Sequence, residues 1–191
     1  MNNFDAQPSL ANATVRLSPI APEDWSELYA VASDPEIWAG HPARDRWQEG
    51  PFRAFFEDAL ACGEAFTIRD AESGAVLGSS RYNFERCGPG EIEIGWSFLA
   101  RSAWGGQVNG EVKRLLVGHA LEHFERVLFL VGADNLRSRK ALEKIGATLS
   151  DRMENASIGE RVITHVVYML DREQFRQGPL SNRGVEDGRR G

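Results

Sequence analysis

The chain has 191 residues, a mass of 21.2 kDa and a formal charge of −6 from 28 acidic and 22 basic residues. That length fits one domain with its own apolar core, built without disulfides, metals or repeats. The acidic balance, without any lysine- or arginine-rich block, argues against sequence-independent nucleic-acid binding and suits cationic or amine ligands.

In chain order, MNNFDAQPSLANA (residues 1–13) is polar and aperiodic and reads as a flexible arm. It has neither the basic start nor the apolar stretch of a signal peptide, so a cytoplasmic protein is expected. TVRLSPI reads as a strand. Pro22, Glu23 and Asp24 then suit a helix start, with Trp25, Leu28, Tyr29 and Ala32 at helical spacing. PFRAFFEDALA is a second helix ending at Gly63. EAFTIRD, the turn AESGA and VLGSSRYNF form an antiparallel hairpin. In GEIEIGWSFLA, Glu91, Glu93 and Gly95 alternate with Ile92, Ile94 and Trp96, as a strand requires.

From Asn109, the residues Val112, Leu115, Leu116, Ala120 and Phe124 mark the apolar face of a helix, and VLFLV from Val127 reads as a strand buried on both faces. Strand, tight turn, helix and buried strand make a βαβ crossover. DNLRSRKALEKIG adds a helix with Asp134 or Asn135 as its cap and Gly146 at its end, and ERVITHVVYML supplies a closing strand. RQGPLSNRGVEDGRRG has almost nothing to bury, so residues 175–191 read as a disordered tail and the domain as residues 14–174. Cys62 and Cys87 stand alone, as in a reducing compartment, and no apolar run is long enough to span a bilayer.

The chemistry concentrates where the Glu91–Ala100 strand meets Arg101–Leu116, RSAWGGQVNGEVKRLL. A helix that begins right after a glycine turn presents unpaired backbone N–H groups and the positive end of its dipole, which together hold an anion. A competing pattern is HALEH, with His119 and His123 one helical turn apart around Glu122, as in a zinc protease. No third ligand segment accompanies it, and both histidines adjoin the apolar stripe, so packed histidines and no metal are expected.

The order of elements, with RLSPIAPEDWSELYAVASDPEIW, EIGW, AWGGQVNGEVKRLLVGHALE and DNLRSRKALEKIGA in sequence, resembles the GNAT superfamily of acyl-CoA-dependent N-acyltransferases, and within it the ribosomal-protein N-terminal acetyltransferase branch. The resemblance covers nearly the whole core. It implies an α/β (α+β) fold: a mixed, mostly antiparallel central sheet with a βαβ acetyl-CoA-binding crossover and helices on both faces.

It further implies that Trp104, Gly105, Gly106, Gln107, Val108 and Asn109 wrap the coenzyme A pyrophosphate, and that Phe98 and Leu99 bond the pantetheine arm like a neighbouring strand. Asn135 and Ser138 would lie beside the pantetheine and the thioester. Lys140 would help to neutralise phosphate, or would belong to a solvated helix face. The turn departs from the superfamily pattern at Trp104, Gln107 and Asn109. A positive φ at Gln107 would strain a non-glycine residue there, whereas its side-chain amide can donate to a phosphate.

The implied activity moves an acetyl group from acetyl-CoA to a primary amine, on a small molecule or a protein N-terminus. A free glutamate ionises near pH 4.3, so Glu93 serves as base only if burial or a relay water assists it. A structural carboxylate is the alternative, and Glu91 is the understudy. The tyrosine that many members use as proton donor is replaced by Leu142, which leaves Ser138 for that role. Trp38, His41, Trp47, Tyr82 and the segment 153–160 are candidate acceptor walls. A homodimer is compatible with the sequence, and a non-catalytic acyl-CoA sensor or interaction domain is the alternative function.

Overall fold

The computed structural model describes residues 3–158 and 161–181, with the backbone alone at 156–158 and 161. In chain order the elements are β1 (Leu10–Ala11), β2 (Val15–Pro19), α1 (Trp25–Ala32), α2 (Pro35–Trp38), α3 (Glu49–Cys62), β3 (Ala65–Asp70) and β4 (Val76–Asn83). They continue with β5 (Glu91–Leu99), α4 (Val108–His123), β6 (Arg126–Gly132), α5 (Leu136–Lys144), β7 (Thr148–Ile158), β8 (Arg161–Asp171) and α6 (Arg172–Gln177). Short 3₁₀ turns at Pro22–Asp24 and Arg101–Ala103 lead into α1 and towards α4.

Local chemistry sets the helix ends. The Asn135 side chain accepts from Ser138 N at 3.2 Å and caps α5. Gly63 closes α3 with φ +67°, a left-handed conformation that suits glycine. The eight strands lie in the order β1-β2-β3-β4-β5-β6-β8-β7. Among the described residues only β5 and β6 run parallel, joined by α4 as the expected crossover.

Each face of the sheet carries a core. On one, Val112, Leu116, Val117 and Ala120 of α4 meet Ile92, Ile94 and Val127. On the other, Leu28, Trp38, Phe52 and Phe55 gather around Phe98. This is the mixed, mostly antiparallel sheet with helices on both faces that the sequence led us to expect.

The chain ends differ from the expected arm and tail. Leu10 and Ala11 pair with Leu17 and Arg16 as an edge strand. The Phe4 ring sits 5.3 Å from Tyr82, 4.9 Å from His119 and 5.0 Å from Phe124. One aromatic residue thus anchors a polar segment. Phe4→Ala should lower stability by about 2 kcal/mol, less than the ~3–5 kcal/mol of a fully buried aromatic residue because the ring is only partly buried, as read by thermal denaturation. At the other end α6 runs to Gln177 and Leu180 is fully buried, so order extends past residue 174. The rest of the expected tail, 182–191, lies outside the described residues, as do Met1, Asn2, Gly159 and Glu160. Among the described residues no helix is long and apolar enough to cross a membrane.

One irregularity shapes the centre of the molecule. Arg81 pairs with Gly95 and Ser79 with Phe98, so two residues of β5 oppose one of β4. The bulge falls at Trp96, whose φ is +50°, a strained value for a bulky residue. Strands β5 and β6 pair only from Glu91 to Glu93 against Arg126 to Leu128. Beyond that point they diverge, leaving backbone groups of both strands without a partner strand.

Candidate active site

The divergence opens a cleft of about 500 Å³ between Ile94–Leu99 and Phe129–Gly132. Its mouth reaches the turn before α4, where Gly105 takes φ +74° and Glu111 N makes the first bond of the helix, to Gln107 O at 3.0 Å. The amides of Val108, Asn109 and Gly110 therefore have no acceptor within the helix, and the helix dipole adds positive potential at the same spot. This is an anion site at one end of a slot with two open strand edges.

Gln107 caps α4 with φ −81° and ψ −22°, ordinary helical values, and its side chain makes no capping bond. The strain considered for this position falls on Gly105, which tolerates it. The Trp104 indole donates to Leu99 O at 2.9 Å, which ties the turn to the end of β5. The Arg137 guanidinium lies 3.9 Å from the Trp104 ring centroid and also donates to Ile37 O at 2.9 Å. Phe98, Leu99, Trp104, Gly105, Gly106 and Asn109 line the cleft, as do Asn135, Ser138 and Lys140. Gln107 and Val108 belong to the turn but are not among the lining residues.

Glu93 is buried, 1% exposed, on the face it shares with Gly95. Arg86 donates to both of its oxygens, at 2.7 and 3.1 Å. Burial pushes the carboxyl up to about 7 against the pull of Arg86. Glu93 does not itself line the cleft, but Gly95 does, and a Cβ there would sit 3.1 Å from Glu93 Oε1. The missing side chain leaves one wall between carboxylate and cleft thin. Glu91 has a different environment. Burial raises its carboxyl, but Arg152 at 2.8 Å, with Gly88 N and Arg126, outweighs this and holds it below the usual range. Its carboxylate is occupied by structural contacts.

The sequence reading missed Lys113. This lysine of α4 is 5% exposed and lines the cleft, with Nζ donating to Ser97 Oγ at 2.9 Å and lying 5.4 Å from the Phe129 ring. Burial alone brings its amine down to about 7. The signal was present in the helical spacing, because Lys113 stands three, four and seven residues before Leu116, Val117 and Ala120 of the buried stripe.

Of the candidate acceptor walls, Trp38 and His41 line the cleft, joined by His165. Burial, with Arg46 nearby, lowers His41 to about 4 and keeps it neutral at pH 7. Burial also lowers His165, whose Nδ1 has no hydrogen-bond partner among the described residues. Trp47 is solvent-exposed and Met153 more so, and neither lines the cleft. Tyr82 is buried beneath Phe4 and donates to Leu116 O at 2.8 Å, so it is core. The HALEH histidines are packed: His119 donates to Asp5 O at 2.8 Å, and both rings contact Phe4. Among the described residues no three His, Cys, Asp or Glu side chains form a metal-binding group.

A sheet split by a bulge beside a glycine turn and a helix N-terminus defines an acyltransferase scaffold. Residues 14–148 match the acetyltransferase (GNAT) domain model, so the chain belongs to the GNAT acetyltransferase family, and membership implies transferase activity. Among solved structures, a presumed acetyltransferase from T. thermophilus is 27% identical over 88% of this chain and 92% of its own, with a TM-score of 0.71.

Two more distant structures share the fold. RimJ of Mycobacterium smegmatis, in complex with CoA-disulfide, is 17% identical, covers 95% of this chain and 94% of its own, and has a TM-score of 0.68. The spermidine N-acetyltransferase of Vibrio cholerae, in complex with CoA and spermine, is 10% identical over 86% and 99%, with a TM-score of 0.65. No curated protein sequence matches the chain.

Proposed function

We propose that the protein is an acetyl-CoA-dependent N-acetyltransferase that acts on a primary amine, of a small molecule or a protein N-terminus, within a ternary complex. The observation that carries this reading is the continuity of the anion site at α4 with the unpaired edges of β5 and β6. When bound, acetyl-CoA supplies an acetyl group already activated as a thioester.

Each residue then has a physical task. The turn from Trp104 to Asn109 holds the pyrophosphate through backbone amides, with Lys140 adding positive charge. Phe98 and Leu99 offer backbone groups to the pantetheine amides as a strand would. Asn135, fixed as the α5 cap, lies beside the arm, and the Ser138 hydroxyl hydrogen-bonds the departing sulfur. Glu93 takes the proton of the acceptor ammonium through a water that reaches past Gly95, a task that suits a carboxyl displaced to about 7. His41 and His165, neutral at pH 7, provide polar contacts for the acceptor without repelling a cationic amine.

Screening amines (protein N-terminal peptides, amino acids, polyamines and aminoglycosides) by thiol release from acetyl-CoA tests the transfer. Turnover with one class is the expected result, and an acetylated product without N-acetylation would contradict the proposal. Because the Gln107 backbone is unstrained and its side chain makes no capping bond, Gln107→Gly should leave the acetyl-CoA Kd within about threefold and change stability by no more than a few tenths of a kcal/mol. Calorimetry and thermal denaturation check the two parts.

A further inference from the structure

We propose that Lys113 is a catalytic acid: its ammonium lends the proton that the coenzyme A sulfur acquires when the acetyl group leaves. The inference rests on the donor reading above. A lysine with no anionic partner is a rare occupant of a protein interior, because desolvation of the charge is uncompensated. Here the side chain comes from the sheet-facing side of α4 and ends between the diverging strands, against Ser97 of β5 and Phe129 of β6. Ser97 Oγ continues to Ser80 Oγ at 2.7 Å, so among the described residues Nζ has one hydrogen-bond partner, a neutral one, and it otherwise faces the cleft.

Its place along the helix separates it from the phosphates. Lys113 is six residues beyond Gln107, about 9 Å along the axis, so the anion site at the helix N-terminus is filled without it. What remains within reach is the thioester end of the slot.

The step balances. The acceptor nitrogen forms a bond to the thioester carbonyl carbon, the C–S bond breaks, and its electron pair stays on sulfur. Sulfur takes a proton from Lys113 Nζ, and the neutral amine regains one from the proton that the acceptor nitrogen sheds. Ser138 contributes a hydrogen bond, but a serine hydroxyl is too weak an acid to be the net source. An ordinary lysine, near 10.4, would hold its proton more tightly than a thiolate near 8.5. Lowered to about 7, Lys113 gives it up readily and still carries it about half the time at neutral pH. The charged groups around the slot do not set this value. His41 and His165 are neutral at pH 7, while Arg137, Lys140, Lys144 and the Arg86-paired Glu93 add nothing to the effect of burial.

Lys113, Lys140 and Lys144 are the only lysines in the chain, so ¹³C-lysine NMR resolves each titration, with Lys113→Met assigning the first. Lys113 should titrate near 7 in the free protein. Coenzyme A should raise that midpoint by about one unit or more, whereas desulfo-coenzyme A, lacking the sulfur, should leave it in place. Thiol release from acetyl-CoA to hydroxylamine, a nucleophile that needs no base at pH 7, gives the kinetic arm. Wild-type turnover should fall as pH rises through 7, and Lys113→Met should be about tenfold slower or more with that limb gone.

Lys113→Arg, charged but unable to release a proton, should be equally slow. Equal midpoints with the two ligands, unchanged turnover in Lys113→Met, or no release by a wild type that binds acetyl-CoA would each overturn the proposal. If coenzyme A leaves every lysine signal unmoved and calorimetry finds no binding, the donor reading itself falls, and the role of Lys113 with it.

Discussion

Glu93→Gln is expected to slow acetyl transfer about a hundredfold or more at pH 8, within the range contributed by a positioned base. With an amine acceptor the wild-type rate should rise with pH up to about 7, because burial delays loss of the Glu93 proton to that point, and fall above it as Lys113 loses its own. The variant should lack this rise. The same displacement separates lost rate from lost fold. A carboxyl raised from about 4.3 when unfolded contributes stability that is complete below that value and is lost as pH rises through 7. A neutral glutamine does not ionise, so the variant should lose less stability than the wild type between pH 5 and 9. Turnover and Tm measured across that span check both halves. Unchanged turnover at pH 8 would remove Glu93 from the mechanism.

Gly78→Ala is expected to cost about 3 kcal/mol or more, combining a forced overlap with a poorly tolerated backbone angle. The new Cβ would fall 2.0 Å from Phe98 O and 3.1 Å from Leu99 Cα, with φ at +153°. These atoms belong to β5 at the rim of the cleft, so relief of the overlap must move the strand edge proposed to hold the pantetheine. Thermal denaturation should show Tm lowered by about 6–12 °C, with weakened acetyl-CoA binding in the protein that remains folded. Gly50→Ala, where the added atom meets nothing within 4 Å, is the control and should leave Tm unchanged or raise it.

What was legible in the sequence follows from how strongly each segment is patterned. The strand, glycine turn, helix and buried strand from Glu91 to Val131 announce themselves by a change of period, and their order constrains the crossover. Asn135 was readable as a cap because a short side chain ahead of a helix has one common use.

The bulge was not readable. Alternation runs unbroken through Ile92, Ile94 and Trp96, and only pairing with β4 shows that Trp96 is the extra residue. Strand β7 was missed because it is an edge strand with polar and exposed residues, among them Met153 at 68% exposure, and half of its pattern faces solvent. The ordering of the N-terminal segment hangs on Phe4, and a single aromatic residue carries no period.

The site divides in the same way. Local chemistry reveals the anion turn, whereas the value of a titratable side chain depends on what tertiary packing places around it. Glu91 and Glu93 are two residues apart on one face, yet arginines at Glu91 hold one down while burial at Glu93 pushes the other up. Lys113 was lost to the habit of assigning lysines to solvent, although its spacing set it on the buried stripe.

The most direct test of the central claim is calorimetric titration of the purified, metal-free protein with acetyl-CoA, with ATP and desulfo-coenzyme A as controls. Micromolar binding of acetyl-CoA, retained by desulfo-coenzyme A and far weaker for ATP, is the predicted result, because the unpaired edges of β5 and β6 recognise the pantetheine arm that ATP lacks. No binding by a protein whose fold is verified, or equal binding of ATP, would contradict it.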